Sequence, residues 1–220
     1  MGPPASKHLR VLPVLAAVVV ALVFALACGG GCMPTETPGV SNVHTVVAGV
    51  LIRGGQPNEQ GLRTLRDSHG VTSVVNFNHL TTEAEAKDAA RVGLYYLPLH
   101  DNPFDDADNE QLVLQFLKFL RERGRYGGGA VYVHCKTGQD RTGIAIAAWR
   151  ILECNWTADQ ALAELRTHQN LPHAAFFQNI PPYVRGIERN RAHWLAKLDS
   201  APDPPVQRPP ATRRAAPAGG

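Results

Sequence analysis

The sequence has little of several features that define common classes of protein. Charge of one sign is not in excess: the formal net charge is +3, and residues 40–200 contain 17 lysines and arginines and 17 aspartates and glutamates. This balance excludes the basic surface that a nucleic-acid-binding domain needs, so we predict no nucleic-acid partner. Internal repeats are also absent, which argues against a repeat architecture.

Cysteine is scarce, and the four cysteines suggest no disulfide framework. Cys28 and Cys32 lie in the N-terminal region, so only Cys135 and Cys154 belong to the predicted domain. A predicted helix over residues 142–152 separates these two at about 1.5 Å per residue. Because a disulfide needs Cα atoms within about 7 Å of each other, we expect two free thiols in the domain.

Long apolar runs are limited to one, at residues 11–28, and two basic residues precede it. Pro13 interrupts the run, whose length is near the lower limit of roughly 17 residues for a membrane-spanning helix. We predict a signal peptide or lipoprotein leader over residues 1–28, with a retained N-terminal anchor as the alternative. In both cases the preceding positive charge predicts export and tethering to a membrane, through a flexible segment at residues 29–42.

The remaining chain divides into an α/β domain over residues 43–198 and a tail over residues 199–220. Apolar, β-branched runs alternate with helical periodicity, which predicts a central, mostly parallel sheet of four to five strands flanked by helices. The predicted strands lie at residues 43–55, 71–77, 94–99 and 130–133. The tail is rich in proline, alanine and arginine and has no apolar period, so we expect it to be disordered.

Capping motifs predict the ends of several helices. The candidates are Asn58, Gly70 and Gly93, with capping boxes at Thr82–Glu85 and Thr157–Gln160. A last helical stretch runs from about residue 176 to residue 198. Pro181 and Pro182 are expected to interrupt it.

The segment HCKTGQDRTG, at residues 134–143, follows the predicted buried strand AVYV and opens the next predicted helix. Ligands of open α/β sheets bind beyond the carboxyl ends of strands, and free backbone N–H groups at a helix N-terminus attract anions. Gly138 lets the loop curl around an anion, and Arg141 presents a planar pair of donors to two phosphate oxygens. The segment therefore predicts a phosphate-binding loop.

Cys135 gives this loop a nucleophile. The N–H groups and Arg141 favour its thiolate, which can attack a phosphate and form a cysteinyl-phosphate that water then hydrolyses. The Thr142 hydroxyl could stabilise the departing sulfur, and His134 could hold the loop by hydrogen bonds to its carbonyl groups. We predict no metal and no cofactor, because Arg141 and the amides meet the phosphate charge. A zinc site is also disfavoured, since His134 and Cys135 are adjacent strand residues that point to opposite faces.

The segments HCKTGQDRTG and RGGQPNEQGLRTL (53–65) resemble the cysteine-dependent protein tyrosine phosphatases, in particular the small atypical dual-specificity branch of bacteria. The likeness covers roughly residues 43–190. It implies a fold like that of the dual-specificity phosphatases, with Cys135 as the nucleophile and Arg141 as a phosphate ligand. The residues between them are then expected to bind the substrate; these are Lys136, Thr137, Gly138, Gln139 and Asp140.

A carboxylic acid should lie near the loop, because the departing alkoxide or phenoxide needs a proton. The resemblance implies an aspartate on a loop before the cysteine, and HDNPFDDADN (100–109) offers four. Asp101 follows the strand LYYLPL most directly, and we predict it as the general acid, with Asp105 and Asp106 as alternatives. Asp106 and Asp108 also fit as helix N-caps.

Two residues inside the loop, Asp140 and Lys136, are compatible with more than one class of substrate. Asp140 could act as an internal acid, as in the similar DRT ending of the myotubularin lipid phosphatase loop, or could form an outward salt bridge that orders the loop. Lys136 would suit a substrate with more than one phosphate, or could face solvent. The predicted substrates are phosphorylated proteins, with inositol phosphates or phosphoinositides as the alternative. No spacing assigns Arg53, Gln56 or His173, which are further candidates for the border of the pocket.

Two other classes of function fit the same loop. A phosphate-binding module would have the pocket but lack turnover. A sulfur-transfer enzyme of the rhodanese type also uses a cysteine in an anion-binding loop. We predict an enzyme that hydrolyses phosphate monoesters, and we expect it to be a monomer.

Overall fold

A five-stranded sheet lies at the centre of the computed structural model, which describes residues 37–99, 106–176 and 178–210. The strands are β1 (His44–Val47), β2 (Leu51–Gly54), β3 (Val71–Asn76), β4 (Tyr95–Pro98) and β5 (Ala130–His134). Their order across the sheet is β1-β2-β5-β3-β4; β1 pairs antiparallel with β2, and the other neighbours are parallel. The predicted α/β fold with a mostly parallel sheet is confirmed.

Helices connect the strands and cover the sheet. They are α1 (Glu59–His69), α2 (Thr82–Val92), α3 (Asp106–Arg121), α4 (Asp140–Leu152), α5 (Ala158–Thr167), α6 (Leu171–Phe176), α7 (Ile180–Arg189) and α8 (Arg191–Ser200). A short 3-10 helix, Arg123–Tyr126, follows α3.

The two faces of the sheet pack against different helices, because side chains alternate between the faces along each strand. On one face, Val74 and Tyr96 lie in a buried apolar cluster with residues of α1 and α2. On the other face, Val75 and Val133 lie in a larger cluster with residues of α3, α4, α5, α7 and α8. Since helices cover both faces, a ligand site is expected at the ends of the strands.

Capping interactions explain several helix ends. The side chain of Asn58 accepts a hydrogen bond from Gly61 N (2.9 Å) at the start of α1, and α1 ends at Gly70 in the left-handed conformation (φ 66°). Thr157 and Gln160 form the predicted capping box at the start of α5. These helix boundaries therefore follow from short-range sequence signals.

Pro181 and Pro182 begin a helix and do not interrupt one, contrary to the prediction. α7 starts at Ile180, and both prolines lie in its first turn. Proline is tolerated there because the N–H groups of the first turn have no partner within the helix. The break in the last helical region lies instead at Asn190, between α7 and α8.

Residues 37–42, the last part of the predicted flexible segment at residues 29–42, contact the domain: Asn58 N donates to Gly39 O (2.9 Å). The predicted leader at residues 1–28 lies outside the described residues. Within the described ranges, no helix has both the length and the apolar character that crossing a membrane requires.

The domain also extends beyond its predicted C-terminal boundary. Gln207 and Tyr96 exchange two backbone hydrogen bonds, of 2.8 and 2.9 Å, in an antiparallel bridge. Gln207, which lies within the tail predicted to be disordered, therefore contacts the edge strand β4, and this is a correction to the prediction at that position. The bridge supplies hydrogen-bond partners for the backbone of the edge strand β4. The composition of residues 199–220 did not predict this contact.

Candidate active site

The predicted phosphate-binding loop lies where three parallel strands end. His134, the last residue of β5, is in register with Gly54 at the end of β2 and with Asn76 at the end of β3. Residues 135–139 leave β5 at this edge, and α4 begins directly afterwards at Asp140. The loop therefore occupies the position between a strand end and a helix N-terminus that favours anion binding.

Groups outside the loop bind the carbonyl oxygens of four consecutive loop residues. The pairs are Gln56 N with Lys136 O (3.1 Å), Asn42 Nδ2 with Thr137 O (2.9 Å), and Arg53 Nη2 with Gly138 O (2.8 Å) and with Gln139 O (3.4 Å). Within the described part of the chain, no group accepts a hydrogen bond from the N–H groups of residues 136–141. Fixed carbonyls and unpaired N–H groups together form an anion-binding loop.

Gly138 is required for this path of the chain. Its φ of 76° is in the left-handed region, and a Cβ atom would lie 2.3 Å from Gly54 O. We expect Gly138→Ala to displace the loop, to reduce kcat/KM for a phosphate ester at least about tenfold, and to lower the free energy of unfolding by roughly 1–3 kcal/mol. Steady-state kinetics and denaturant unfolding would measure both effects.

Gly70→Ala is the matched control for that substitution. Gly70 also has a positive φ (66°), but its Cβ would have no heavy atom within 4 Å. This variant should lose about 1–2 kcal/mol of stability from the backbone conformation alone and keep the wild-type kcat/KM. If Gly138→Ala had the same kcat/KM as Gly70→Ala, the close packing of the loop on β2 would have no role in activity.

Cys135 and Arg141 lie at the two ends of this loop, as predicted. Cys135 is buried, and Arg141 is half-buried with its Nη1 donating to Phe77 O (3.1 Å) in the segment after β3. The Thr142 hydroxyl is buried and has no hydrogen-bond partner in the described residues, so the predicted contact with the sulfur is not formed in this structure. The bond to Phe77 holds one side of the guanidinium and leaves its other donors for a phosphate.

Arg53 supports the loop by hydrogen bonds to its carbonyl groups, a role that the sequence did not assign. Its side chain is 1 % exposed, and burial lowers the pKa of the guanidinium to about 10, against the opposing effects of Glu164 and Cys135. Arg53 is therefore charged at neutral pH, and it donates to the two loop carbonyls named above. The signal that could have identified it is an arginine inside the buried strand LIRG, because a buried charge needs specific partners.

Glu85 does not form the predicted capping box with Thr82. α2 is capped at Thr81 without a side-chain bond, and Glu85 is buried, with its Oε1 2.6 Å from His134 Nε2. His134 Nδ1 in turn lies 3.1 Å from Cys135 O, so the predicted hydrogen bond to a loop carbonyl is present. The spacing of Glu85 with Ala89, on the buried face of α2, is the signal that could have revealed its burial.

Asp140 contacts two side chains that follow α5 along the chain. Its Oδ1 accepts from Gln169 Nε2 (2.7 Å), and its Oδ2 contacts His173 Nδ1. This arrangement favours the loop-ordering role over that of an internal acid. In addition, the side chain of Gln139 accepts from the backbone of residue 170 (2.9 Å), whereas Lys136 is exposed.

The predicted general acid belongs to a segment that the structure does not describe. Asp101 and Asp105 lie outside the described residues, and so do the side chains of residues 106–109. α3 begins at Asp106. The assignment of Asp101 therefore stays a prediction.

A comparison with protein families agrees with this geometry. A family described as DSP-PTPase phosphatase fused to NAD+ kinase matches residues 37–178, which is more than half of the chain. The chain belongs to this dual-specificity phosphatase family. The match begins at Thr37, the first residue that the structure describes, and it includes the whole of the Cys135 loop.

Similar curated phosphatases are known from bacteria and animals. The dual specificity protein phosphatase TpbA of Pseudomonas aeruginosa is 33% identical over 138 residues, which are 63% of this chain and 59% of TpbA. A Slingshot protein phosphatase homolog of Xenopus laevis is 30% identical over 90 residues, which are 39% of this chain and 13% of that protein. The chain therefore spans less than two thirds of the length of either relative.

Solved structures show the same phosphatase fold. The crystal structure of TpbA has a TM-score of 0.54 and 26% identity, and the match covers 73% of this chain and 99% of that one. A structure of PTPMT1 in complex with PI(5)P has a TM-score of 0.56 and 19% identity, and the match covers 69% and 97% of the two chains. At that identity, the second likeness concerns the fold alone.

Proposed function

We propose that the chain hydrolyses phosphate monoesters through a cysteinyl-phosphate on Cys135. The geometry of the loop supports this proposal. Donors on Asn42, Arg53 and Gln56 bind the carbonyls of residues 136–139, and the loop N–H groups have no partner in the described residues. Cys135 stands at one end of these N–H groups and Arg141 at the other. A phosphate bound by them would present its phosphorus to the sulfur.

The proposed reaction has two steps. The Cys135 thiolate attacks phosphorus and forms an S–P bond, while the bond to the leaving oxygen breaks and the general acid protonates that oxygen. Water then attacks the phosphorus, its proton passes to the carboxylate that the acid left, and the S–P bond breaks. The loop amides and Arg141 bind the charge that develops on the phosphoryl oxygens in both steps.

Phosphate release from an aryl phosphate by the full chain tests this function. The assay contains reductant, because the nucleophile is a thiolate, and a metal chelator, because no step uses a metal. Turnover is expected under these conditions. A folded, fully reduced protein without turnover would favour the phosphate-binding module, and transfer of sulfur from thiosulfate to cyanide would favour the rhodanese type.

Asp101 is proposed as the acid of the first step. Asp101→Asn should lower kcat roughly 10²–10⁴-fold for an alkyl or peptide substrate, the range typical of general acid catalysis. The loss should be smaller for a substrate whose leaving group is already a weak base, because that oxygen needs a proton less. Asp105→Asn is the control, and a larger loss in that variant would transfer the role to Asp105.

The substrate is proposed to be a phosphorylated protein, at tyrosine or with dual specificity. TpbA supports this choice, because a crystal structure shows TpbA in complex with phosphotyrosine. The match with that structure has 26% sequence identity and covers 72% of this chain. An inositol phosphate or phosphoinositide is the alternative, supported by the exposed Lys136 of the loop and by a shared fold that holds PI(5)P in PTPMT1. Comparing kcat/KM for phosphotyrosine peptides, phosphoserine peptides and inositol phosphates would decide between them.

Export and membrane tethering are proposed on the N-terminal sequence. The apolar run at residues 11–28 and the basic residues before it support this location. Oxidising surroundings would convert a reactive Cys135 thiolate to a sulfenic acid. Fractionation of cells that produce the full chain, followed by mass spectrometry of its N-terminus, would show where it resides and whether the leader is cleaved.

A further inference from the structure

A side chain from the segment before β1 reaches the phosphate-binding loop. Asn42 Nδ2 donates a hydrogen bond to the carbonyl oxygen of Thr137 (2.9 Å), although the two residues are 95 positions apart in the chain. The sequence assigned Asn42 to a flexible tether. Its contact with the loop therefore gives this segment a place in the candidate active site.

The backbone of Asn42 has a conformation that few residues adopt. Its φ of 55° lies in the left-handed region, where asparagine occurs more readily than most other residues that carry a side chain. Among the described residues other than glycine, Asn155 (φ 60°) is the one other residue with a positive φ. Asparagine at position 42 thus suits the backbone and also supplies an amide group.

The two ends of the Asn42 amide have different partners. A carbonyl oxygen only accepts hydrogen bonds, so the group that faces Thr137 O must be the amide nitrogen. The amide oxygen lies 2.8 Å from Nε2 of His44, and a ring N–H donates to an amide oxygen. The amide is therefore held at both ends, and the direction of its N–H group is fixed.

The bond to Thr137 O also sets the direction of an N–H group in the loop. A trans peptide is planar, so its C=O and N–H groups point in opposite directions, and the described chain has no cis peptide bond. Because the Thr137 carbonyl points outward to Asn42, the N–H of Gly138 points to the opposite side. Asn42 therefore orients the Gly138 N–H towards the concave side of the loop.

The conformations of the next two residues make their N–H groups converge on the same side. Gly138 is left-handed (φ 76°), and Gln139 is right-handed (φ −98°, ψ −71°). Successive N–H groups in such a pair form a concave site for an anion. Arg53 binds the carbonyls of both residues, and it thereby orients the N–H groups of Gln139 and Asp140.

We propose that Asn42 is a positioning residue of the active site, which turns the N–H of Gly138 towards the phosphate group of the substrate. The proposal rests on the proposed function, in which the loop N–H groups bind the phosphoryl oxygens. It divides the N–H groups of residues 138–140 between two supports: Asn42 orients the first, and Arg53 orients the other two. Loss of the Asn42 side chain should therefore affect one N–H group and spare its neighbours.

Asn42→Gly is the test, because glycine adopts the left-handed backbone freely and has no side chain. Inorganic phosphate is titrated into the full chain, with affinity measured by calorimetry and amide proton shifts by NMR. We expect phosphate to bind about tenfold more weakly, the effect of one hydrogen bond to a charged group. At saturation, the downfield shift of the Gly138 amide proton should be reduced, and the shifts at residues 139 and 140 should be retained.

Asn155→Gly is the matched control. Asn155 has the same left-handed backbone and is exposed between α4 and α5. The control should keep the wild-type affinity and the wild-type shifts. This comparison separates the effect of the Asn42 side chain from that of placing glycine in a left-handed position.

Three results would overturn the proposal. They are an Asn42→Gly protein that keeps the affinity and the Gly138 shift, an equal reduction of the shifts at residues 138–140, and a wild-type Gly138 amide proton that does not respond to phosphate. Phosphate binding needs no turnover. A wild type that binds phosphate through Gly138 but hydrolyses no ester would therefore support this proposal and contradict the proposed function.

Asn42→Asp decides the case if Asn42→Gly does not fold. Aspartate has the shape of asparagine and tolerates the left-handed backbone, but it presents an oxygen to Thr137 O in place of the amide nitrogen. Its charge also weakens phosphate binding, so the shifts are compared at saturation, where they do not depend on affinity. A reduced shift confined to Gly138 is expected, and a wild-type Gly138 shift would overturn the proposal.

Discussion

Cys135→Ser is expected to reduce kcat at least about 10⁵-fold, the scale of loss seen when an enzyme loses its nucleophile. A serine hydroxyl stays protonated at neutral pH and cannot replace a thiolate as the attacking group. The variant should still bind a phosphate ester, because the loop amides, Arg53 and Arg141 are unchanged. Steady-state kinetics and calorimetry would measure the loss of turnover and the retained affinity.

Cys154→Ser is the control for this substitution. Cys154 is the other free thiol of the described domain, and burial raises its pKa. It lies beyond the end of α4, the helix that begins after the loop. The control should keep wild-type kcat, and turnover that survived in Cys135→Ser would show that the loop holds a ligand without supplying the nucleophile.

Arg141→Lys should reduce kcat/KM at least about 10³-fold, within the range for an arginine that stabilises a phosphoryl transition state. The guanidinium can bind Phe77 O with one nitrogen and still present a planar pair of donors to the phosphate. A lysine keeps the charge but loses this geometry. Kinetics with a generic aryl phosphate would measure the change.

Arg166→Lys is the matched control for Arg141→Lys. Arg166 is an exposed arginine on α5, and within the described residues its side chain makes no hydrogen bond to the loop. The control should show wild-type kinetics. A loss for Arg141→Lys of less than about tenfold would contradict bidentate phosphate binding, because charge alone would then be sufficient.

The parts of the site that lie close together in the sequence were predictable. The buried run before Cys135, the glycine at position 138 and the helix after it are short-range signals, and they correctly placed the loop at a strand end. The same holds for the caps of α1 and α5, in which a side chain bonds to the backbone three residues away. Local patterns predict structure well when the interaction they imply is also local.

The supporting residues were not predictable, because their partners are distant along the chain. Thr82 and Glu85 have the spacing of a capping box, but the Glu85 carboxylate contacts the buried His134, 49 residues later, and does not cap α2. Arg53 likewise binds carbonyls 85 and 86 residues away. Tertiary contacts of this kind override local propensity, and only the folded arrangement reveals them.

The most direct test of the central claim is to trap the covalent intermediate. The full chain, with reductant and chelator, is mixed with an aryl phosphate, quenched in acid during turnover and digested for mass spectrometry. We predict a phosphoryl group on the peptide that contains Cys135, and none in the Cys135→Ser variant. Phosphate release without phosphorylation of Cys135, or phosphorylation of another residue, would contradict the proposed mechanism.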